Sequence, residues 1–179
     1  MTFKLSLCSA AILAVFAATP TAQAKTFKWS SASDIPTLDI HSQNNALANG
    51  VHASIFDALV YYDSVTFKPT PQLATSWRDI SPTQMRFNLR PGVKFSDGSV
   101  MTADDVVFSL NRAMSKTSNY SVYTQGIEKA VKVNDSTVDL ILKGPNPVLL
   151  NQLTELRIMS KSWAEKNNSL EPKDIRTKD

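Results

Sequence analysis

Residues 71–114 read PQLATSWRDISPTQMRFNLRPGVKFSDGSVMTADDVVFSLNRAM, and this stretch is the most informative part of the sequence for predicting the fold. Apolar and polar side chains alternate over residues 85–90, with the period of a strand that is buried on one face. The alternating apolar residues are Met85, Phe87 and Leu89. A Pro91-Gly92 turn follows, after which Val93 and Phe95 are expected to begin another strand. The stretch therefore predicts short strands joined by tight turns.

A helix is predicted to begin after Thr102. The hydroxyl of Thr102 can cap the helix, and Asp104 and Asp105 fall in its first turn, where negative charge meets the positive end of the helix dipole. Capping explains both aspartates, so we do not interpret them as a catalytic acid pair. The residues expected on the apolar stripe of this helix are Ala103, Val106, Val107, Leu110 and Met114.

Upstream of this stretch, the sequence predicts a strand and a helix. Residues 27–33 alternate apolar with small or polar side chains and predict a strand that ends before Pro36. Asn44 and Asn45 are good helix caps, and a helix that ends near Val60 is expected after them. Its apolar positions are predicted to be Leu47, Val51, Ile55, Ala58 and Leu59.

Downstream, a hairpin and a further helix are predicted. Residues 130–133 and 138–142 form the two strands of the hairpin around a turn at 134–136. Pro145 and Pro147 are expected to open a helix whose apolar residues are Leu149, Leu150, Leu153 and Leu156. After Trp163 the chain becomes polar and loses its periodicity, so we expect this tail to be poorly ordered.

The N-terminus has the three parts of a secretory signal peptide. Lys4 supplies a positive start, an apolar run covers residues 5–18, and Ala22-Gln23-Ala24 fits the small-x-small cleavage rule. We therefore expect cleavage after Ala24 and a periplasmic product without direct membrane insertion. The single cysteine, Cys8, lies near the start of the apolar run, which argues against a lipid anchor.

Composition and missing motifs exclude several classes of protein. Hydrophobic residues make up 42% of the 179-residue chain, so a core of ordinary size can form. The net charge is only +3 and no basic block occurs, which argues against nucleic-acid binding. The two histidines, His41 and His52, lack the spacing of a zinc site, and no nucleophile elbow or phosphate loop is present. We therefore expect no enzyme activity, no metal site and no cofactor.

Residues 71–114 closely resemble the signature region of the family 5 bacterial extracellular solute-binding proteins. The matching pieces are LATSW at 73–77, FNLR at 87–90, GVKF at 92–95, Asp97-Gly98 and TADDVVFS at 102–109. Residues 33–41 (SDIPTLDIH) and 55–60 (IFDALV) also look like the N-terminal lobe of that family, and the 131–142 hairpin looks like its small domain.

The resemblance implies an α+β fold of the periplasmic-binding-protein type, the bilobed type II family. It implies a signal peptide at 1–24, the start of the N-terminal lobe at 25–62, a small mixed α/β domain at 63–160, and a return segment at 161–179. The second lobe of the family would be absent from the chain, which stops at Asp179. Two features that could contact a solute would remain in the chain, and both belong to the N-terminal lobe.

These features are two loops that line the solute cleft in the family. The first loop would contribute Ser33, Asp34 and Ile35, which follow the first predicted strand. The second would contribute Asn44 and Asn45, although helix capping and turn formation are ordinary alternatives for these residue types. Family peptide receptors commonly bind the peptide amino group with an acidic residue of the second lobe, and no residue here matches that position.

The resemblance implies a substrate-binding component of an ABC importer that delivers a peptide-like solute to the membrane subunits of the permease. A complete protein of this kind would be a monomer. Two alternatives stay open within the family: a nickel, opine or sugar receptor, and an exported remnant that binds no solute and acts, if at all, as an interaction module. An exported hydrolase is the alternative from another class, and it lacks a catalytic constellation.

Overall fold

The structure is a computed structural model that describes Thr26, Ser30 and residues 34–174. The predicted signal peptide lies outside the described residues, as does the predicted strand at 27–33 apart from Ser30. In chain order, the helices and strands are α1 (Ala46–Ile55), β1 (Val60–Asp63), β2 (Lys68–Pro71), β3 (Ala74–Ser81), β4 (Gln84–Leu89), α2 (Ala103–Ala113), α3 (Ser121–Thr124), β5 (Ile127–Asn134), β6 (Thr137–Leu142), α4 (Leu149–Leu153) and α5 (Lys161–Lys166).

An antiparallel sheet with the order β3-β4-β6-β5 organises the described chain, and β1 and β2 pair as a separate hairpin. The predicted strand at 85–90 is confirmed as β4, where Phe87 lies opposite Trp77 on one side and Val138 on the other. The predicted hairpin is confirmed as β5 and β6, and it begins three residues earlier than expected, at Ile127. The alternation over 85–90 therefore predicted the strand, and the structure places it in the middle of the sheet.

Helix α2 packs on this sheet as its sequence predicted. Thr102 is the helix cap, and the carboxylate of Asp105 accepts a hydrogen bond from the N–H of Thr102, which completes a capping box. Phe87, Val106 and Leu110 are fully buried in one apolar core with Leu89, and Val107 packs against it. Leu149, Leu153 and Leu156 of the α4 region belong to the same core.

Two predicted elements differ from the structure. The expected strand at 93–95 is absent from the described ladders, because residues 95–99 close a turn and leave only a single bridge between Lys94 and Val100. Helix α1 ends at Ile55, five residues before Val60, because the chain then turns into a bridge at Ala58 and strand β1. Its buried residues are Ala48 and His52, so the predicted apolar stripe is wrong by one position along the helix.

The segment after residue 158 has more structure than its sequence predicted. It forms α5, capped by the Ser160 hydroxyl, and its main chain is bonded to side chains of α2 at four points from Met159 to Glu171. The N–H of Lys173 is bonded to Asp39. Those bonds come from polar side chains far away in the sequence, so periodicity within the segment could not reveal them. The domain limits at 62 and 160 stay predictions, although Leu59 and Val60 share the core of the sheet.

Candidate functional site

A cavity of about 670 Å³ opens between the 37–40 loop, the end of α1, the turn region 93–101 and the segment that leads into α5. Its apolar walls include Leu38, Ile55, Phe56, Phe95, Met159 and Trp163. Three of these side chains remain substantially exposed, namely Leu38 (61%), Ile55 (58%) and Trp163 (45%). An apolar recess of this size with a few charged groups is the usual form of a small-molecule site.

Some charged residues around the cavity are buried in an ion pair, and others are exposed. Asp39 and Arg112 form a buried ion pair at its inner edge, with Nη2 of Arg112 2.7 Å from Oδ2 of Asp39. Asp57, Lys94 and Asp97 are exposed at its rim. Within the described residues the side chain of Lys94 makes no hydrogen bond or ion pair, whereas Asp57 accepts a bond of 2.6 Å from Nε2 of Gln72. The rim therefore offers both signs of charge to a solute.

Asp39 is held as a carboxylate by several donors. Burial by itself would raise its pKa, but the hydrogen bonds from Arg112 and from the N–H groups of Lys173 and His41 outweigh burial and hold the pKa of Asp39 well below its usual range. The two carboxylate oxygens accept from both terminal nitrogens of Arg112 at 2.7 Å. This bidentate geometry is the strong form of a charge-assisted bond.

His41 is kept neutral beside this pair. Nδ1 of His41 lies 3.3 Å from Nη1 of Arg112, and because a guanidinium can only donate, Nδ1 is the acceptor and the ring proton is on Nε2. Burial first, and then the charge of Arg112, lower the pKa of His41 to about 3 from an ordinary 6.5, against the opposing effect of Asp39. His41 also meets the ring of Tyr120 edge-on at a centroid distance of 5.6 Å.

Five buried side-chain atoms have no hydrogen-bond partner among the described residues. They are both ring nitrogens of His52, Nε2 of His41, Oγ of Ser42 and Oε1 of Gln43. Burial lowers the pKa of His52 as well, which favours its neutral form. Residues 34–174 contain no group of three or more His, Cys, Asp or Glu side chains that could hold a metal ion.

Helix α2 carries a polar stripe beside its apolar one, and this stripe binds the main chain that closes the cavity. Asp105 accepts from the N–H of Lys161 at 2.9 Å, and the hydroxyl of Ser109 accepts from the N–H of Met159 at 3.0 Å. One turn further along, Arg112 donates to the carbonyls of Ser169 and Glu171. The apolar side of α2 thus fixes it to the sheet, and the polar side fixes residues 159–171 to α2.

Of the residues that the sequence proposed as solute contacts, the four that the structure describes do not line this cavity. Asp34 is exposed and accepts from the N–H of Ile35, which is half-buried, as in an ordinary turn. Asn45 caps α1 by accepting from the N–H of Ala48 at 2.9 Å. Asn44 is exposed and bonds to Asn49, and Ser33 lies outside the described residues. They stay predicted contacts, and the structure adds a separate set of cavity residues.

The residues that were missed carry no local signal. Arg112 and Ser109 lie on the side of α2 away from its predicted apolar stripe, where polar residues are ordinarily exposed to solvent. Asp39, the partner of Arg112, is 73 residues away in the sequence.

The match to a family model decides the identity. Residues 68–177 match the model described as bacterial extracellular solute-binding proteins, family 5 Middle, which covers more than half of the chain. The chain belongs to the family 5 bacterial extracellular solute-binding proteins. The resemblance of residues 71–114 to that family is thereby confirmed, and so is the α+β fold class that it implied.

Three similar proteins illustrate the range of family 5. The glutathione-binding protein GsiB of Pectobacterium atrosepticum is 32% identical over 151 residues, which are 82% of this chain and 29% of GsiB. The structure of MoaA from A. tumefaciens R10, in complex with mannopinic acid, is 31% identical, with a TM-score of 0.69 over 75% of this chain and 29% of that one. The structure of DppA from Helicobacter pylori with the peptide STSA is 30% identical, with a TM-score of 0.62 over 75% of this chain and 31% of that one.

The solved members of family 5 that resemble this chain are bilobed type II periplasmic-binding proteins, and this chain covers part of their fold. It spans between 18% and 29% of the length of the first two curated relatives that it matches. None of the helices in residues 34–174 has the length and apolarity that crossing a bilayer requires.

Proposed function

We propose that this chain supplies one wall of the solute site of an ABC importer's substrate-binding protein, and that the solute is peptide-like. The observation that carries the proposal is the family 5 match over residues 68–177, combined with a large apolar cavity whose rim bears exposed charges. Members of this family are binding proteins, and the proposed role is capture of the solute rather than its chemical conversion.

The chemistry of the cavity supports a peptide. Its apolar walls can take side chains without regard to their exact shape, while a peptide's two charged ends need groups of opposite sign at the rim. Asp57 and Asp97 can meet an ammonium group, and Lys94 can meet a carboxylate. Two of the similar proteins carry a peptide in their names: GsiB is named for glutathione, and the DppA structure holds the peptide STSA.

The remaining parts of the proposal concern the whole protein. The predicted signal peptide at 1–24 would direct the chain to the periplasm, and a second wall would close over the solute before delivery to the membrane subunits of the permease. A complete protein of this kind would act as a monomer.

An opine or sugar acid is the second candidate solute. The MoaA structure with mannopinic acid favours it, at 31% identity. A carboxylate on such a solute could be met by Lys94 as well, so the two candidates differ in whether the apolar walls and the acidic rim residues are needed.

The test is a titration followed at the methionine methyl groups, since Met101 and Met159 line the cavity and Met85 lies in the sheet. Methyl-labelled protein is titrated with glutathione, the peptide STSA and mannopinic acid at millimolar concentration. The proposal expects the peptides to move Met159 while Met85 stays in place. Movement with mannopinic acid alone would support the opine alternative. A folded protein whose cavity methyls respond to none of the three would refute a solute site here.

A further inference from the structure

Arg112 lines the cavity, yet it has no hydrogen-bond donor left for a solute. A guanidinium has five N–H groups, and five acceptors surround this one. Nε donates to the carbonyl of Ser169 at 3.1 Å, Nη2 donates to the carbonyl of Glu171 at 3.0 Å and to Asp39 at 2.7 Å, and Nη1 donates to Asp39 at 2.7 Å and to Nδ1 of His41 at 3.3 Å. The side chain is 1% exposed.

The five acceptors come from the two sides of the cavity. Asp39 and His41 belong to the loop that also places Leu38 in the cavity wall, whereas Ser169 and Glu171 belong to the segment after α5. Asp39 reaches the same segment a second time, by accepting from the N–H of Lys173 at 3.0 Å. One buried ion pair therefore ties the wall at 37–41 to the wall at 159–173.

We propose that Arg112 is a positioning residue of the solute site: it sets the spacing of the two cavity walls and does not itself bind the solute. The inference rests on the proposed function for the identity of the site, but the contacts that carry it do not depend on any solute. It assigns the charge recognition of a solute to the rim residues and the geometry of the walls to Arg112.

Lysine cannot replace arginine in this role. An ammonium group has three donors on a flexible stem and lacks the planar fork, so it can keep the charge beside Asp39 but cannot serve five acceptors. Arg112→Lys should therefore retain the ion pair and release the carbonyls at 169 and 171.

The sheet provides a matched control. Arg86 also makes a bidentate pair, with Asp139, through Nε at 2.7 Å and Nη2 at 2.8 Å, and neither residue lines the cavity. Arg86→Lys changes the same chemistry at a distant place, so any effect that it shares with Arg112→Lys is a general effect of weakening an ion pair.

The first measurement needs no solute. In Arg112→Lys, the methyl signals of Met101 and Met159 should shift. The amide of Lys173 should exchange with solvent roughly tenfold to a hundredfold faster, the value of one charge-assisted bond, because the carbonyls at 169 and 171 that anchor its segment are released. Arg86→Lys should leave all three unchanged. If Arg112→Lys does not fold, Lys173→Pro removes the N–H bonded to Asp39 and leaves Arg112 in place, and it should shift the Met159 signal in the same direction by less.

The second measurement adds the peptide STSA. Arg112→Lys should weaken its binding by roughly tenfold, while Arg86→Lys binds it like the wild type. Equal affinity of the wild type and Arg112→Lys would overturn the positioning role and leave the proposed function standing. Unchanged methyl and exchange data in Arg112→Lys would overturn it as well. If the wild type binds no solute but the first measurement succeeds, the proposed function fails and the role of Arg112 in the cavity geometry stands.

Discussion

His41 should make the folded chain sensitive to mild acid. Its side chain is fully buried, it accepts a hydrogen bond from Arg112, and its pKa is lowered to about 3 from an ordinary 6.5. We consider a change from pH 7 to pH 5, a range in which most carboxylates keep their charge and an ordinary histidine takes up a proton.

The direction of the change in stability follows from the pKa of His41 in the folded and in the unfolded chain. Between pH 6.5 and pH 3 the unfolded chain holds a proton on His41 that the folded chain does not, so the free energy of unfolding falls as the pH falls through this window. Each pH unit inside the window is worth about 1.4 kcal/mol. From pH 7 to pH 5 the loss from His41 is therefore about 2 kcal/mol, and stability should change little with pH above 7 from this group.

Urea unfolding at the two pH values measures this loss. For a small domain, about 2 kcal/mol lowers the midpoint by about 1 M urea. His41→Asn keeps an acceptor near Arg112 but cannot take up a proton, so it should lose less stability between pH 7 and pH 5 than the wild type does, by the same amount. His52, whose pKa is also lowered, contributes in the same direction, so His52→Asn is the control that must retain the His41 share. If the stability of the wild type and of His41→Asn depended equally on pH, protonation of His41 would not be the cause of the loss.

Three further predictions concern the core, the N-terminus and the solute. Leu110→Ala should cost about 2–5 kcal/mol and abolish cooperative thermal unfolding, while the exposed Val148→Ala should not; a melting curve like the wild type's would show that the buried face of α2 is misassigned. N-terminal sequencing of the exported chain should begin at Lys25, and an intact Met1 or a lipid on Cys8 would contradict this. The 179-residue chain alone should bind solute at millimolar affinity or weaker, because a solute held by one wall keeps much of its surface in water; a saturable sub-micromolar signal in calorimetry would contradict it.

The elements that the sequence predicted well are those whose signals are local. Strand β4 alternates in burial, and the cap of α2 needs only Thr102 and Asp105, three residues apart, so both could be recognised within a short window. The apolar stripe of α1 was misplaced because its buried face is made by Ala48 and His52, which a hydrophobicity pattern does not select. A small residue and a histidine are buried there because of what packs on them, and that depends on the tertiary structure.

The candidate site was less predictable for the same physical reason. Its walls come from four segments between residues 37 and 169, and its key ion pair joins residues 73 positions apart. No periodicity connects such residues, because the connection exists only after the sheet has placed α2 against the returning chain. The predicted contacts at Asn44 and Asn45 came instead from local position in the family pattern, and Asn45 serves locally as a helix cap.

The two stripes of α2 explain why the sequence identifies the family but not the solute. The apolar stripe joins the signature region at 71–114 to its own sheet, so the residues that identify the family are mainly those that build the scaffold. The polar stripe, from Asp105 through Ser109 to Arg112, bonds to main-chain groups of residues 159–171, which any sequence supplies, and Arg112 also pairs with Asp39. Neither stripe needs to change when the solute changes. We therefore expect selectivity to depend on cavity side chains that lie outside the pieces matching the family signature, such as Met159 and Trp163.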